Sequence, residues 1–233
     1  MSDISGTRAI LFDLDGTLID TVPQLYLAVQ SAMKAVAMPD VSLEQVRTWI
    51  GNGVDVLLKR AFAQNYYYED LVIDPAVFSA AKSAFNAHYH DGITENYEIY
   101  PSVKETLHSL HQAGYELAVV TNKPNEFVQP LLKSAGIDHY FSFTLGGGVL
   151  ERRKPDPLPL LYICDEMDIQ PFQALMVGDS KNDIEAAQSA GIPVVGLTYG
   201  YNHGEPIENS HPDWVFSHFD ELANLMNVQQ KRM

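Results

Sequence analysis

The sequence predicts an α/β fold: a parallel sheet with helices on both faces, and an all-helical cap inserted after the first strand. Three observations carry that expectation. From residue 95 onward, short apolar runs alternate with amphipathic helical stretches, as in successive βαβ units. A further apolar run, RAILFD at residues 8–13, stands alone near the start. The stretch between the two has helical periodicity and no convincing strand.

Residues 8–13 make the first strand. Residues 21–37 follow as a long amphipathic helix. A second helix begins at Ser42, where Ser42 and Gln45 form a capping box. A third covers about 52–66 and a fourth 75–90. The expected division is therefore a helical cap at 21–94 and an α/β core at 1–20 and 95–233. Within the core, residues 101–113 form a helix opened by Pro101 and a Ser102/Glu105 capping box. Residues 115–121 (YELAVVT) form a buried strand. Residues 124–135 are helical and stop at Gly136. Strand 141–145, helix 156–167, strand 174–177, helix 182–190 (ending at Gly191) and strand 193–197 come next. An edge strand at 215–216 and a helix at 219–226 complete the core. The polar tail, 229–233, is expected to fray.

Composition narrows the function. The 233 residues include 30 acidic and 15 basic ones, a formal net charge of −15, and 46% are hydrophobic. A globular core follows without staples. The acidic balance excludes a basic surface for nucleic acid or anionic membrane. Cys164 is the one cysteine, so no intrachain disulfide forms, which suits a reducing compartment. No signal-peptide pattern is present, and no apolar run approaches ~18 residues. A cytoplasmic protein, monomeric or a small homo-oligomer, is the expectation.

In an open parallel sheet, ligands bind beyond the carboxyl ends of the strands. Four strand ends here carry the chemistry. The first bears Asp13 and Asp15, one residue apart, then Gly16 for a sharp turn and Thr17 to hold a carboxylate. As an isolated pair this reads as a turn; at the end of an apolar strand it aims two carboxylates at one edge. The fourth bears Asp179 and, in the first turn of the next helix, Asp183. Helix capping would explain Ser180 or Asn182, but not carboxylates converging from two strands. Such a hard-oxygen set suits Mg²⁺. Thr121 and Asn122 follow the second strand, at a helix start suited to phosphate. Lys154 follows a flexible Gly146–Gly148 stretch, where a point charge could neutralise phosphate and nucleophile. A lone lysine there is more often a solvated surface residue.

Together, DLDGT at 13–17, Thr121–Asn122, Lys154 and GDSKND at 178–183 resemble the haloacid dehalogenase superfamily of phosphatases. The motifs occur in that family's order and sample nearly all of the core. The resemblance implies a Rossmann-like core and an aspartyl-phosphate mechanism. It makes Asp13 the nucleophile, Asp15 the general acid/base, and Thr121 with Asn122 the phosphate site, beside Lys154. It implies Mg²⁺ held by Asp13, the backbone carbonyl of Asp15 and Asp179, with Thr17 and Asp183 in support. Asp15 is the residue that the carbon–halogen-cleaving branch lacks, so its presence points to phosphoryl transfer. Only 31 residues separate Asn122 from Lys154, which places the cap after the first strand. A helical lid implies a small phosphorylated metabolite as partner.

Local stretches, WIGNGV at 49–54, AVVTNKP at 118–124 and VGLTYGYNHGEP at 195–206, resemble the phosphoglycolate-hydrolysing branch. That implies conversion of 2-phosphoglycolate and water to glycolate and phosphate. Gly51 and Gly53 would let cap backbone approach the substrate carboxylate; a plain break between two helices explains them equally well. Lys59 or Arg60 could pair with that carboxylate, although a solvated helix face is the commoner fate. The Tyr66–Tyr68 run reads as cap surface or hinge packing, and Cys164 as a small buried apolar residue. The eight histidines show no metal-ligand spacing, and His88 and His90 diverge on a helix. The alternatives are a sugar phosphomutase, a phosphatase for another small metabolite, and a non-enzymatic module that keeps the fold.

Overall fold

A computed structural model describes residues 4–228; the tail expected to fray, 229–233, lies outside the described residues. The chain opens with β1 (Ala9–Phe12) and β2 (Ile19–Asp20). Four helices follow: α1 (Val22–Ala35), α2 (Leu43–Trp49), α3 (Val54–Ala63) and α4 (Pro75–Asp91). After β3 (Glu98–Ile99) come α5 (Val103–Gln112), β4 (Glu116–Pro124), α6 (Asn125–Ala135) and β5 (Phe143–Gly147). The remainder is α7 (Leu158–Glu166), β6 (Ala174–Gly178), α8 (Lys181–Ala190), β7 (Val194–Leu197), β8 (Trp214–Phe216) and α9 (Glu221–Leu225).

Six strands form one sheet in the order β5-β4-β1-β6-β7-β8, with every neighbouring pair parallel. Burial on both faces explains the unbroken apolar runs. Because successive strand residues point to opposite faces, Ile10, Phe12, Leu117, Val119, Leu175 and Val177 join one core. Ala9, Leu11, Ala118, Val120, Ala174 and Met176 join the other. Helices α5, α6 and α9 cover the first face, and α7 and α8 the second.

The helical segment packs α1 against α4, with α2 and α3 alongside. Gln24 of α1, only 4% exposed, donates to the carbonyls of Ile93 and Glu95 after α4. Entry and exit of the segment are tied by an antiparallel ribbon, Ile19 opposite Ile99 and Asp20 opposite Glu98. Strands of two residues carry too little periodicity to be read from sequence.

Caps decide several boundaries. Ser42 and Gln45 form the expected reciprocal box. The box expected at Ser102 is absent. Ser102 has φ of 63°, in the left-handed region, whereas a side-chain N-cap needs extended backbone to reach the third N–H. Gly136 and Gly191 end α6 and α8 in left-handed conformation. The Gly146–Gly148 stretch, expected to be flexible, is packed at its first two positions. A Cβ at Gly146 would lie 2.4 Å from Asn125 Cα, and one at Gly147 would lie 2.6 Å from the Asn122 carbonyl.

Candidate active site

The carboxyl ends of β1, β4 and β6 converge beneath α1 and α3. Asp13 continues β1, its N–H donating to the Val177 carbonyl of β6 (3.0 Å). Its Oδ1 accepts from the Leu14 N–H at 2.7 Å and lies 3.1 Å from Lys154 Nζ. Asp179 closes β6. Its Oδ1 accepts from Thr17 Oγ1 at 2.6 Å, and its Oδ2 from the Tyr201 N–H at 2.8 Å. Two glycines let the backbone close round this carboxylate: a Cβ at Gly16 or at Gly200 would lie 2.3 or 2.1 Å from Asp179 atoms. Asp183, in the first turn of α8, accepts from Lys154 Nζ at Oδ1 (2.7 Å) and from the Ser180 N–H and hydroxyl at Oδ2.

Carboxylate oxygens of Asp13, Asp179 and Asp183 all lie within 4.8 Å of one another. The three residues are 8%, 1% and 0% exposed. Lys154, 2% exposed, is the ammonium among them and also donates to the Val120 carbonyl. Three buried carboxylates against one ammonium leave a deficit of positive charge, which low-dielectric surroundings make costly. The titrations express that deficit. Burial, with Asp183 and Asp15 adding and Lys154 opposing, pushes Asp13 up to about 6. Burial and the neighbouring carboxylates hold Asp179 well above the usual carboxylate range. Burial alone would lower Lys154, but Asp13 and Asp183 outweigh it and keep the ammonium charged. An all-oxygen, negatively charged and desolvated donor set fits a hard divalent cation such as Mg²⁺. No histidine belongs to the cluster among the described residues.

Asp15 faces elsewhere. Its Oδ1 accepts from Thr21 Oγ1 at 2.7 Å and from Lys123 Nζ at 2.8 Å. Lys123 also donates to the Tyr89 hydroxyl of α4. Lys123 and Tyr89, 4% and 2% exposed, are further functional candidates: the sequence places Lys123 at the strand end without a role and does not single out Tyr89. Residues 121–124 read as a strand-to-helix turn, whereas β4 continues to Pro124 and turns Lys123 inward. Tyr89 was legible as the last of the Ala81, Phe85, Tyr89 stripe, whose spacing of four marks a buried helix face.

Asn122 sits at the same edge in a role different from the expected one. Its Nδ2 donates to the Gly51 carbonyl (2.9 Å) and to the Lys154 carbonyl (2.8 Å). Both amide protons are thus committed, and its buried Oδ1 has no partner among the described residues. The Thr121 hydroxyl accepts from the Lys123 N–H. Gly51 and Gly53, between α2 and α3, have φ of 116° and 82° and face the site. Asn182 adds a second donor to the Gly51 carbonyl at 3.2 Å. Helical segment and sheet are therefore bolted together beside Asp13.

Arg60 is buried rather than solvated. It donates to the Trp49 and Tyr66 carbonyls, and its guanidinium lies 4.0 Å from the Tyr66 ring centre. Those bonds tie α3 to α2 and remove Arg60 from the site. Lys59 lies near the Tyr68 ring instead. Tyr66 packs edge-on against His203, while Tyr67 is 73% exposed. His203 bonds the Thr48 carbonyl through Nδ1, and burial drops its pKa to about 4. Cys164 is buried, as expected, which pushes its thiol up to about 11.

Between sheet and helices lies a cavity of about 40 Å³. Leu25, Ile50, Val54 and Leu57 supply its apolar wall; Asp13, Asp15, Tyr89 and Lys123 supply polar groups. No described helix is long and apolar enough to cross a membrane.

Known proteins resemble this chain in sequence and fold. The haloacid dehalogenase-like hydrolase family matches residues 10–197. A phosphoglycolate phosphatase of Aliivibrio fischeri is 48% identical over 221 residues, 95% of this chain and 97% of that protein. One from Mannheimia succiniciproducens is 47% identical, covering 94% of this chain and 98% of that protein. The crystal structure of a predicted phosphoglycolate phosphatase from Haemophilus somnus superposes with a TM-score of 0.90 at 46% identity. It covers 96% of this chain and 100% of that one. With the family match spanning most of the sequence and the carboxylate cluster at the sheet edge, the chain belongs to the haloacid dehalogenase-like hydrolases.

Proposed function

We propose that the protein is a Mg²⁺-dependent phosphomonoesterase working through an aspartyl-phosphate on Asp13, with 2-phosphoglycolate as substrate. One observation carries the reading: Asp13 meets Asp179, Asp183 and Lys154 in a buried cluster under helical cover. The relatives at 47–48% identity are phosphoglycolate phosphatases, which supports the substrate.

Asp13 attacks phosphorus in line, forming an O–P bond as the ester oxygen leaves. Asp15 gives that oxygen its proton, then takes one from the water that hydrolyses the acyl phosphate. Lys154 offsets repulsion between the carboxylate and the incoming phosphate. Asp13, Asp179 and the Asp15 carbonyl would hold Mg²⁺, with Asp183 and Thr17 in support; the ion supplies the remaining positive charge. The Thr121 hydroxyl retains a proton to offer a phosphate oxygen. Residues 21–94 act as a cap over the 1–20 and 95–233 core, excluding water.

A sugar phosphomutase would use the same core; the phosphoglycolate phosphatases at 47–48% identity favour the smaller substrate. The test is release of glycolate and phosphate from 2-phosphoglycolate with Mg²⁺. Asp13→Asn should abolish turnover; full turnover by that variant, or a requirement for a hexose bisphosphate, would reject the reading.

A further inference from the structure

The cavity wall contains a charge that the chemistry above does not use. Among the residues lining the cavity, Lys123 carries the one basic side chain; Lys154 lies beneath it, committed to Asp13, Asp183 and the Val120 carbonyl. The Lys123 ammonium donates one proton to Asp15 and one to Tyr89. An ammonium has three, so one remains for a ligand.

Position gives that proton a purpose. Phosphorus must sit at Asp13, and the ester oxygen must sit at Asp15, which protonates it. Lys123 Nζ is 2.8 Å from Asp15 Oδ1. In a phosphate ester of a small 2-hydroxy acid, one carbon separates the ester oxygen from the carboxylate. Asp13, Asp15 and Lys123 line one cavity, so with phosphorus and ester oxygen fixed, a carboxylate one carbon away is within reach of Lys123. The wall formed by Leu25, Ile50, Val54 and Leu57 offers no counter-charge, and a carboxylate pressed against it would lose its hydration unrepaid. Asp15 alone would repel it.

We propose that Lys123 is the residue that reads the substrate's carboxylate, selecting phosphorylated 2-hydroxy acids over neutral alkyl phosphates. The inference rests on the phosphomonoesterase reading and adds a specificity residue to it. Lys123 then has two contacts in one reaction: it holds the acid/base carboxylate and it pairs with the group next to the scissile bond. Tyr89, delivered by α4 of the cap, fixes the ammonium between them.

The test compares kcat/KM for 2-phosphoglycolate and for 2-hydroxyethyl phosphate, with Mg²⁺, in the native enzyme and in Lys123→Met and Tyr89→Phe. Both esters should slow in Lys123→Met, because Asp15 loses its partner. The ratio between them should fall by about 100-fold, the scale of a lost charge-assisted contact inside a site. Tyr89→Phe should leave the ratio within about threefold, because the charge remains. Should Lys123→Met not fold, Lys123→Gln keeps a donor to Asp15 and should show the same collapse of the ratio. An equal loss on both esters would mean that Lys123 serves Asp15 alone, and would overturn the proposal. A native enzyme that hydrolyses both esters equally well would also overturn it while leaving the phosphatase reading intact. Failure to hydrolyse either ester would remove that reading and the inference with it.

Discussion

Asn122 of the sheet donates to the backbone carbonyl of Gly51 in the cap, 2.9 Å away, and its other amide proton goes to the Lys154 carbonyl. One side chain thus fastens the cap loop to the loop that carries the buried lysine. Asn122→Ala should strand the Lys154 carbonyl, at a cost of about 1–3 kcal/mol. The expected outcome is a lower melting temperature together with a drop in kcat/KM of about tenfold or more, as the loop relaxes. Melting and steady-state kinetics on one preparation check it; a variant with native values for both would refute the fastening role.

Lys154 neutralises two carboxylates at once. Lys154→Met leaves Asp13 and Asp183 buried without their cation, which should cost about 3–5 kcal/mol of stability. Turnover should fall by about 10²–10³ or more. Adding Asp183→Asn to Lys154→Met should restore part of the stability and none of the turnover. Denaturant titrations of the single and double variants provide the check, and a double variant no more stable than the single would contradict the charge account.

Acidity gives a signed expectation for Asp13. Its carboxyl titrates near 6, against an ordinary value of 3.8, through burial first and neighbouring carboxylates next. The folded chain therefore binds this proton more tightly than the unfolded one. The resulting stabilisation is complete below 3.8 and is lost as pH rises through about 6. In chelator-treated protein, Asp13→Asn should raise the melting temperature at neutral pH, and the gain should vanish towards pH ~4. A gain independent of pH would refute it.

Divalent cation should relieve the same repulsion. Mg²⁺ at ~100 times its dissociation constant should stabilise the native enzyme by about 2.7 kcal/mol. Asp179→Asn should reduce that response sharply while making the metal-free protein more stable than the native one, because a buried like charge is gone. Thermal melts with and without Mg²⁺ read both effects. An unchanged Mg²⁺ response in Asp179→Asn would place the cation elsewhere.

The fold and the carboxylate cluster were legible because their signals are local. Strands buried on both faces leave unbroken apolar runs such as 117–120, and the polar residues that follow them mark the sheet edge. What escaped depends on backbone conformation and on partners outside the local pattern. Ser102 looked like a cap, but its backbone is left-handed. Arg60 looked solvated, yet the Trp49 and Tyr66 carbonyls claim it. Lys123 meets Tyr89 across the cap boundary, and no spacing in the sequence announces that meeting. Asn122 was placed correctly at the edge, but its two carbonyl acceptors, Gly51 and Lys154, lie 71 and 32 residues away.

The small ribbon that pairs Ile19 with Ile99 and Asp20 with Glu98 makes the helical insertion a cassette. Its two ends leave the core side by side, so the sheet experiences the whole excursion as one short hairpin. Shortening, lengthening or exchanging the helices between Asp20 and Glu98 need not disturb strand pairing in the sheet. A single hydrolytic scaffold can in this way be refitted for different phosphorylated compounds by replacing what is mounted on two neighbouring strands.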